Sequence, residues 1–313
     1  MLDNPMKKWY SRIGRIEIQR IRNSRMWIAD QWTDYKLLDS AGGEKLEYWG
    51  DILLRRPDPQ AIWTERTEQR LWEKSDAHYH RSKSGGGSWQ FHNKKLPAYW
   101  PIHYRDLTFH IKPMGFKHTG LFPEQAVNWD WFSELIKKAG RPVRVLNLFA
   151  YTGGATVAAL AAGAEVVHVD ASRGMVTWAK ENVIASGLGE KPVRYIVDDV
   201  VKFVLREERR KREYDAIIMD PPSYGRGPGG EVWKIENELY PLIQNCIKIL
   251  SPNPLFFLIN SYTTGLSASI LENVLTYTMK KRYGGRVSAD EIGLPMLSNH
   301  MVLPCGISGR WEG

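Results

Sequence analysis

Only two cysteines, Cys246 and Cys305, occur in 313 residues. A disulfide framework needs more, and a cysteine-based zinc site would be short of ligands, so neither a stapled fold nor a metal-ligand set is expected. Such a chain suits a reducing, cytoplasmic compartment. No window supplies the roughly 18 uninterrupted apolar residues of a membrane helix, and no membrane partner is expected. The N-terminus, MLDNPMKKWYSRIGRIEIQRIR, lacks the apolar centre of a secretory signal. It is basic and amphipathic and reads as a surface helix, with a transit peptide as the alternative. Internal repeats and long low-complexity segments are also missing.

What is present is an ordinary globular composition, 43% hydrophobic and 25% charged, with a net charge of +8. The length suffices for one large domain or two modest ones. A basic balance suits a polyanionic partner without proving one. Residues 1–140 hold 23 Lys and Arg against 17 Asp and Glu, interleaved with Trp, Tyr and His. This part reads as a smaller β-rich unit. It serves either to grip RNA through phosphates and stacking, or to cover the following sheet or mediate dimerisation. The oligomeric state is left open. Leu46–Trp49 and Leu107–Ile111 suggest strands, and Ser84–Ser88 a flexible turn.

From Val143 the pattern changes to apolar strand-like runs alternating with helical ones, the mark of a parallel α/β sheet. Strands are expected over Val143–Phe149, Val166–Asp170, Val193–Val197, Tyr214–Met219 and Leu255–Ile259. Helices are expected over Gly154–Ala162, from an N-cap near Ser172, over Val232–Leu250 with a kink near Pro241, and over Ala268–Arg282. Arg286–Leu294 and His300–Leu303 read as a closing pair. The mixed-sign run Arg206–Arg212 reads as a solvated helix end.

Ligands of open parallel sheets bind beyond the carboxyl ends of the strands. The first strand ends in Asn147-Leu148-Phe149-Ala150-Tyr151-Thr152-Gly153-Gly154, where glycines permit a sharp turn and the helix start offers N–H groups to a carboxylate. A glycine turn needed only for packing would look the same. The second strand ends in Asp170, which can accept from both hydroxyls of a ribose. The third ends in Asp198-Asp199, which can accept from an adenine amino group or simply cap a helix. Together they describe a pocket for an adenosine with an amino-acid or phosphate tail. The fourth ends in Asp220-Pro221-Pro222-Ser223-Tyr224, a rigid turn suited to holding a planar amine or base. The loop Tyr224–Gly230 that follows offers Tyr224 for stacking and Arg226 for a phosphate, or is a plain surface loop.

From Gly120 onward the chain resembles bacterial large-subunit ribosomal RNA methyltransferases, which are Rossmann-like class I enzymes using S-adenosyl-L-methionine (SAM) to methylate cytosine C5 or guanine N7. The matching segments are Gly120–Gln125, Asn147–Gly154, Val169-Asp170, Ala179–Asn182, Asp198–Val200 and Met219–Pro222. The resemblance implies an α/β fold of seven strands whose last pair is a hairpin, over residues 119–313, preceded by the β-rich unit 1–118. It implies that Phe122 and Gln125 close over the cofactor. Asn147, Phe149, Ala150, Tyr151, Thr152, Gly153, Gly154, Asp170, Ser172, Asn182, Asp198 and Asp199 would hold it. Asp220, Pro221 and Pro222 would face the target base.

One departure stands out. Cytosine-C5 members of that family carry a nucleophilic cysteine just after the fifth strand, where this chain has Ile259-Asn260-Ser261-Tyr262. C5 methylation needs a soft nucleophile, and a serine hydroxyl is a poor substitute. The expectation is therefore methyl transfer to a ring or exocyclic nitrogen, with Cys246 and Cys305 as core residues. A SAM-dependent enzyme with a protein or small-molecule acceptor is the alternative. A nicotinamide-dependent oxidoreductase is distant, because the first turn lacks G-x-G-x-x-G.

Overall fold

Near-continuous apolar runs along the strands after Val143 require helices on both sheet faces, and the computed structural model shows how this is met. It describes residues 26–67, 69–82, 86–226 and 232–313. The expected N-terminal surface helix and positions 83–85 and 227–231 of the two glycine-rich loops lie outside the described residues. β1 is Met26–Ile28, followed by β2 Tyr35–Ala41, β3 Glu44–Trp49, β4 Ile52–Pro57, β5 Ala77–Arg81 and β6 Gly87–Phe91. β2 to β6 form one sheet in that order. β7 Trp100–Tyr104 and β8 Leu107–Ile111 make a separate hairpin.

The second half begins with a 3-10 turn Pro123–Gln125 and α1 Ala126–Lys138. Then come β9 Arg144–Leu148, α2 Gly154–Ala161, β10 Glu165–Asp170, α3 Arg173–Ala185, β11 Val193–Val197, α4 Val200–Arg209 and β12 Ala216–Met219. A short hairpin, β13 Tyr224–Arg226 and β14 Val232–Lys234, precedes α5 Ile235–Ile247, β15 Phe256–Ser261 and α6 Ala268–Leu275. β16 Arg286–Pro295 and β17 Val302–Glu312 finish the chain. The main sheet runs β1-β16-β17-β15-β12-β9-β10-β11.

Period two decides the layers. Val145, Val166, Ile218 and Phe256 pack with Trp129 and Phe132 of α1, Val157 of α2 and Val183 of α3. Their neighbours Leu146, Val167, Ile217 and Phe257 point the other way, onto Phe203 of α4, Ile243 of α5 and Leu271 of α6. Central β9 has β12 on one side and β10 on the other, so strand order reverses there. The crevice at that switch point is where a ligand enters.

The seven strands expected over residues 119–313 are present with their closing hairpin, and Met26–Ile28 of the N-terminal part adds an eighth by pairing parallel with β16. Two expectations change. The helix expected from Val232 begins at Ile235, since Val232–Lys234 pairs with Tyr224–Arg226. The last strand extends beyond Leu303 to Glu312, its glycines being packing sites: a Cβ on Gly309 would lie 2.9 Å from Leu271 Cβ. Among the described residues no helix is long and apolar enough to cross a membrane.

Candidate active site

The turn from β9 into α2 has a fixed, unusual shape. Phe149 and Tyr151 hold φ of 54° and 50°, and Gly153 holds 83°. Two non-glycine residues in the left-handed region within three positions is backbone strain of the kind kept at functional sites. The Ala150 N–H donates to Val169 O (3.0 Å), Gly153 N–H to Ala150 O (3.0 Å) and Tyr151 N–H to Asp170 Oδ2 (2.9 Å). A Cβ on Gly153 would stand 2.8 Å from Ala179 Cβ, and one on Gly154 2.8 Å from the Trp129 ring. Both glycines are therefore fixed by helix packing as well as by the turn. Asn147 Nδ2 donates to Thr156 Oγ1 (2.9 Å), tying the end of β9 to α2.

Asp170 closes β10 half-buried. Its second oxygen accepts the Ser172 N–H at 2.8 Å. Burial raises its pKa while these two N–H bonds hold it down. Each oxygen keeps a further lone pair for a ligand. Ser172 occupies the N-cap of α3 in extended conformation but makes no side-chain cap bond. Asn182 is fully buried behind the turn, donating to Thr152 O (2.8 Å) and accepting the His110 N–H (2.9 Å). It shapes the turn from outside the cavity. Asp199 caps α4, accepting the Lys202 N–H at 2.8 Å, and Asp198 pairs with Arg206. The third strand end thus carries the cap that the sequence left as an alternative.

A short segment covers the turn. Gly120 has φ of 100°, and any Cβ there would meet the Trp178 ring at 2.3 Å. Its carbonyl accepts from Thr152 Oγ1. Phe122 stands among His118, Tyr151 and Tyr262, with ring centroids 5.3, 5.6 and 5.6 Å away. Trp32 Nε1 donates to Pro123 O at 2.8 Å, so the N-terminal part secures the segment. Gln125 Nε2 donates to the Tyr262 hydroxyl (2.7 Å), and its Oε1 accepts from Asn128 (2.9 Å). Asn128 also reaches Asn260 Oδ1 (3.1 Å) and Ser308 Oγ (2.9 Å) and is held by the buried Arg310.

Asp220 ends β12 beside this segment. Loss of solvation, and then the Glu124 carboxylate, push its pKa up to about 7. Glu124 itself is buried and raised by burial. Asp220 therefore changes charge near neutrality. The following turn is braced: Trp233 Nε1 of β14 donates to Pro222 O (2.6 Å), and Thr263 Oγ1 donates to Ser223 Oγ (2.6 Å). The Pro222 carbonyl is consequently spoken for. Ser261 is buried, its Oγ accepting the Thr263 N–H at 3.2 Å. Cys246 is buried on α5 and Cys305 partly buried on β17, and burial pushes both thiols well up.

These elements enclose a narrow cavity of about 50 Å³. Of the residues singled out in the sequence, Phe122, Gln125, Asn147, Phe149, Ala150, Tyr151, Thr152, Gly154 and Asp220 line it. Gly153, Asp170, Ser172, Asn182, Asp198, Asp199, Pro221 and Pro222 lie outside that lining. Leu121, Trp129, Ala155, Ile218 and Asn260 line it and were not singled out. Of these Asn260 had a signal, as a polar residue at the end of the apolar run Leu255–Ile259.

Residues 74–253 match the family model described as S-adenosylmethionine-dependent methyltransferase. The ribosomal RNA large subunit methyltransferase K/L of Shewanella frigidimarina is 32% identical over 147 residues, 46% of this chain. The aligned part is only 20% of that relative's length. The crystal structure of a SAM-dependent methyltransferase from Agrobacterium tumefaciens is 38% identical with a TM-score of 0.86, covering 92% of this chain and 93% of that one. A methyltransferase structure complexed with SAH shares the fold at a TM-score of 0.71 and 19% identity, covering 97% of this chain and 79% of that one. With the family model spanning more than half of its residues, this chain belongs to the S-adenosylmethionine-dependent methyltransferases.

Proposed function

We propose that the protein methylates a nitrogen of a base in ribosomal RNA, in the cytoplasm. The observation that carries the reading is Asp220, a carboxyl held near neutrality at the wall of the cavity, whose lining among the described residues includes no cysteine. The name of the Shewanella relative supports an RNA acceptor. The residues fit a bound S-adenosyl group: the cavity runs along the turn Phe149–Thr152 and Gly154, whose backbone faces it. Asp170 keeps lone pairs for the ribose hydroxyls, and the first turn of α2 keeps N–H groups for the carboxylate. When bound, SAM supplies an electrophilic methyl group.

The remaining work falls to the chain. Phe122 and its aromatic neighbours exclude water. Proximity and alignment of acceptor and cofactor contribute on the order of 7–11 kcal/mol. Ionised Asp220 accepts a hydrogen bond, and then a proton, from the acceptor amine as positive charge develops there. Burial, and after it the Glu124 carboxylate, keeps the Asp220 pKa high enough for that transfer. The Pro221-Pro222 turn, braced by Trp233, fixes where Asp220 points. The basic, aromatic N-terminal unit 1–118, with Tyr99 and Phe116 exposed, grips RNA beside the methyl-transfer unit 119–313.

Labelled SAM offered in parallel to undermethylated ribosomal RNA, ribosomal proteins and a metabolite extract tests the reading. Label should follow the RNA. Label in protein or in small molecules would give the acceptor role to the alternative class.

A further inference from the structure

The run Arg206–Arg212 plays no part in the site just described, yet its Glu207, Arg210 and Arg212 line a cleft of about 490 Å³ at the opposite end of the strands. The amino ends of β9, β10 and β11 meet the end of α4 there. Arg144, Arg194, Arg210 and Arg212 converge on it, against the carboxylates of Glu165 and Glu207. Both carboxylates are engaged. Glu207, buried to 1% exposure, accepts from the Tyr214 hydroxyl (2.7 Å) and pairs with Arg210 (3.1 Å). Glu165 lies 3.5 Å from Arg144.

Arg194 and Arg212 have no ion-pair or hydrogen-bond partner for their guanidinium groups among the described residues. The charge of Arg194 is felt within the cleft: with Arg144 it acts on Tyr214 against the Glu207 carboxylate. Arg206 and Arg209 in the last turn of α4 are accounted for by the helix macrodipole. Arg144 and Arg194 come from strands and are not. Exposed cations drawn together without counter-charge repel one another, and an anion relieves the repulsion.

We propose that this cleft is a phosphate-binding site, with Arg194 and Arg212 as the anion contacts and the Glu207–Tyr214 pair fixing Arg210 beside them. Guanidinium groups suit phosphate oxygens because their planar fork can donate twice. The site lies on the far side of the sheet from Asp220 and is independent of which acceptor is methylated. The phosphate belongs either to an RNA backbone or to a free phosphate compound.

Two probes separate these sources: a fluorescent single-stranded oligoribonucleotide followed by anisotropy, and inorganic tripolyphosphate followed by calorimetry. Each is titrated into the full chain, the Arg194→Ala/Arg212→Ala double variant and an Arg209→Ala control. Arg194 and Arg212 are exposed, so the double variant keeps its fold and its SAM affinity. For an RNA site, it binds the oligonucleotide about tenfold more weakly, and its log-affinity against log-salt slope flattens by about 1.4, the value for two contacts to a single strand. For a free-phosphate site, only the tripolyphosphate affinity falls. If neither probe distinguishes the double variant from wild type, or if Arg209→Ala matches its loss, the site does not exist.

Discussion

Asp220 makes the sharpest demands of any residue. Its native pKa of about 7 lies above the unfolded value near 3.9. Between those values the native state holds a proton that the unfolded chain has lost, so this group's contribution to stability falls as pH rises through the window. Asp220→Asn removes the ionisation. The variant should gain melting temperature relative to wild type at pH 8, by roughly 2–4 °C for each kcal/mol of linkage relieved, and gain nothing at pH 4; calorimetric melts at both pH values check this. Methyl transfer should rise with pH through about 7 in wild type. It should fall on the order of a hundredfold in the variant, with SAM affinity nearly unchanged in titration. The cysteines make the opposite demand. Replacing Cys246 and Cys305 together by alanine should cost about 1–3 kcal/mol of stability in urea melts and leave turnover nearly intact. Complete loss of turnover in a folded, SAM-binding double variant would contradict a nitrogen acceptor.

The elements that carry the site were mostly legible in the sequence. The turn Asn147–Gly154 announced itself because its glycines interrupt two strongly periodic runs. Asp170 and Asp220 stand where apolar strands stop. Glu124 is not legible as a partner of Asp220, because nothing in the letters brings the two together. Asn182, which the resemblance assigns to the cofactor, holds the Thr152 carbonyl of the turn, a bond that only the fold reveals. The start of α5 lies three residues later than the sequence suggests because Val232-Trp233-Lys234 suits helix and strand alike, and pairing with Tyr224–Arg226 decides it. Gly120→Ala tests the covering segment. With φ of 100° and Trp178 at 2.3 Å, the substitution should cost about 1–3 kcal/mol in denaturant melts and weaken SAM binding in calorimetry. A variant matching wild type in both would mean that the Trp178 contact does not position Phe122.

Across the whole molecule, the division into a β-rich first half and an α/β second half was readable from composition and period. The joining of the two was not, because it rests on long-range pairs. Met26–Ile28 extends the main sheet, Ser298 Oγ donates to Asp39 Oδ1 (3.0 Å), and Tyr35, Trp49 and Leu54 share a core with Val145 and Phe256. A shared core should melt as one transition by calorimetry; two well-separated transitions would show that the halves hold themselves up independently. The central claim is methyl transfer to a base nitrogen, and its most direct test is the position of the transferred methyl. Undermethylated ribosomal RNA is incubated with the protein and isotopically labelled SAM, digested to nucleosides and analysed by mass spectrometry. The account predicts label in an N-methylated nucleoside, and label in 5-methylcytidine or 5-methyluridine would contradict it.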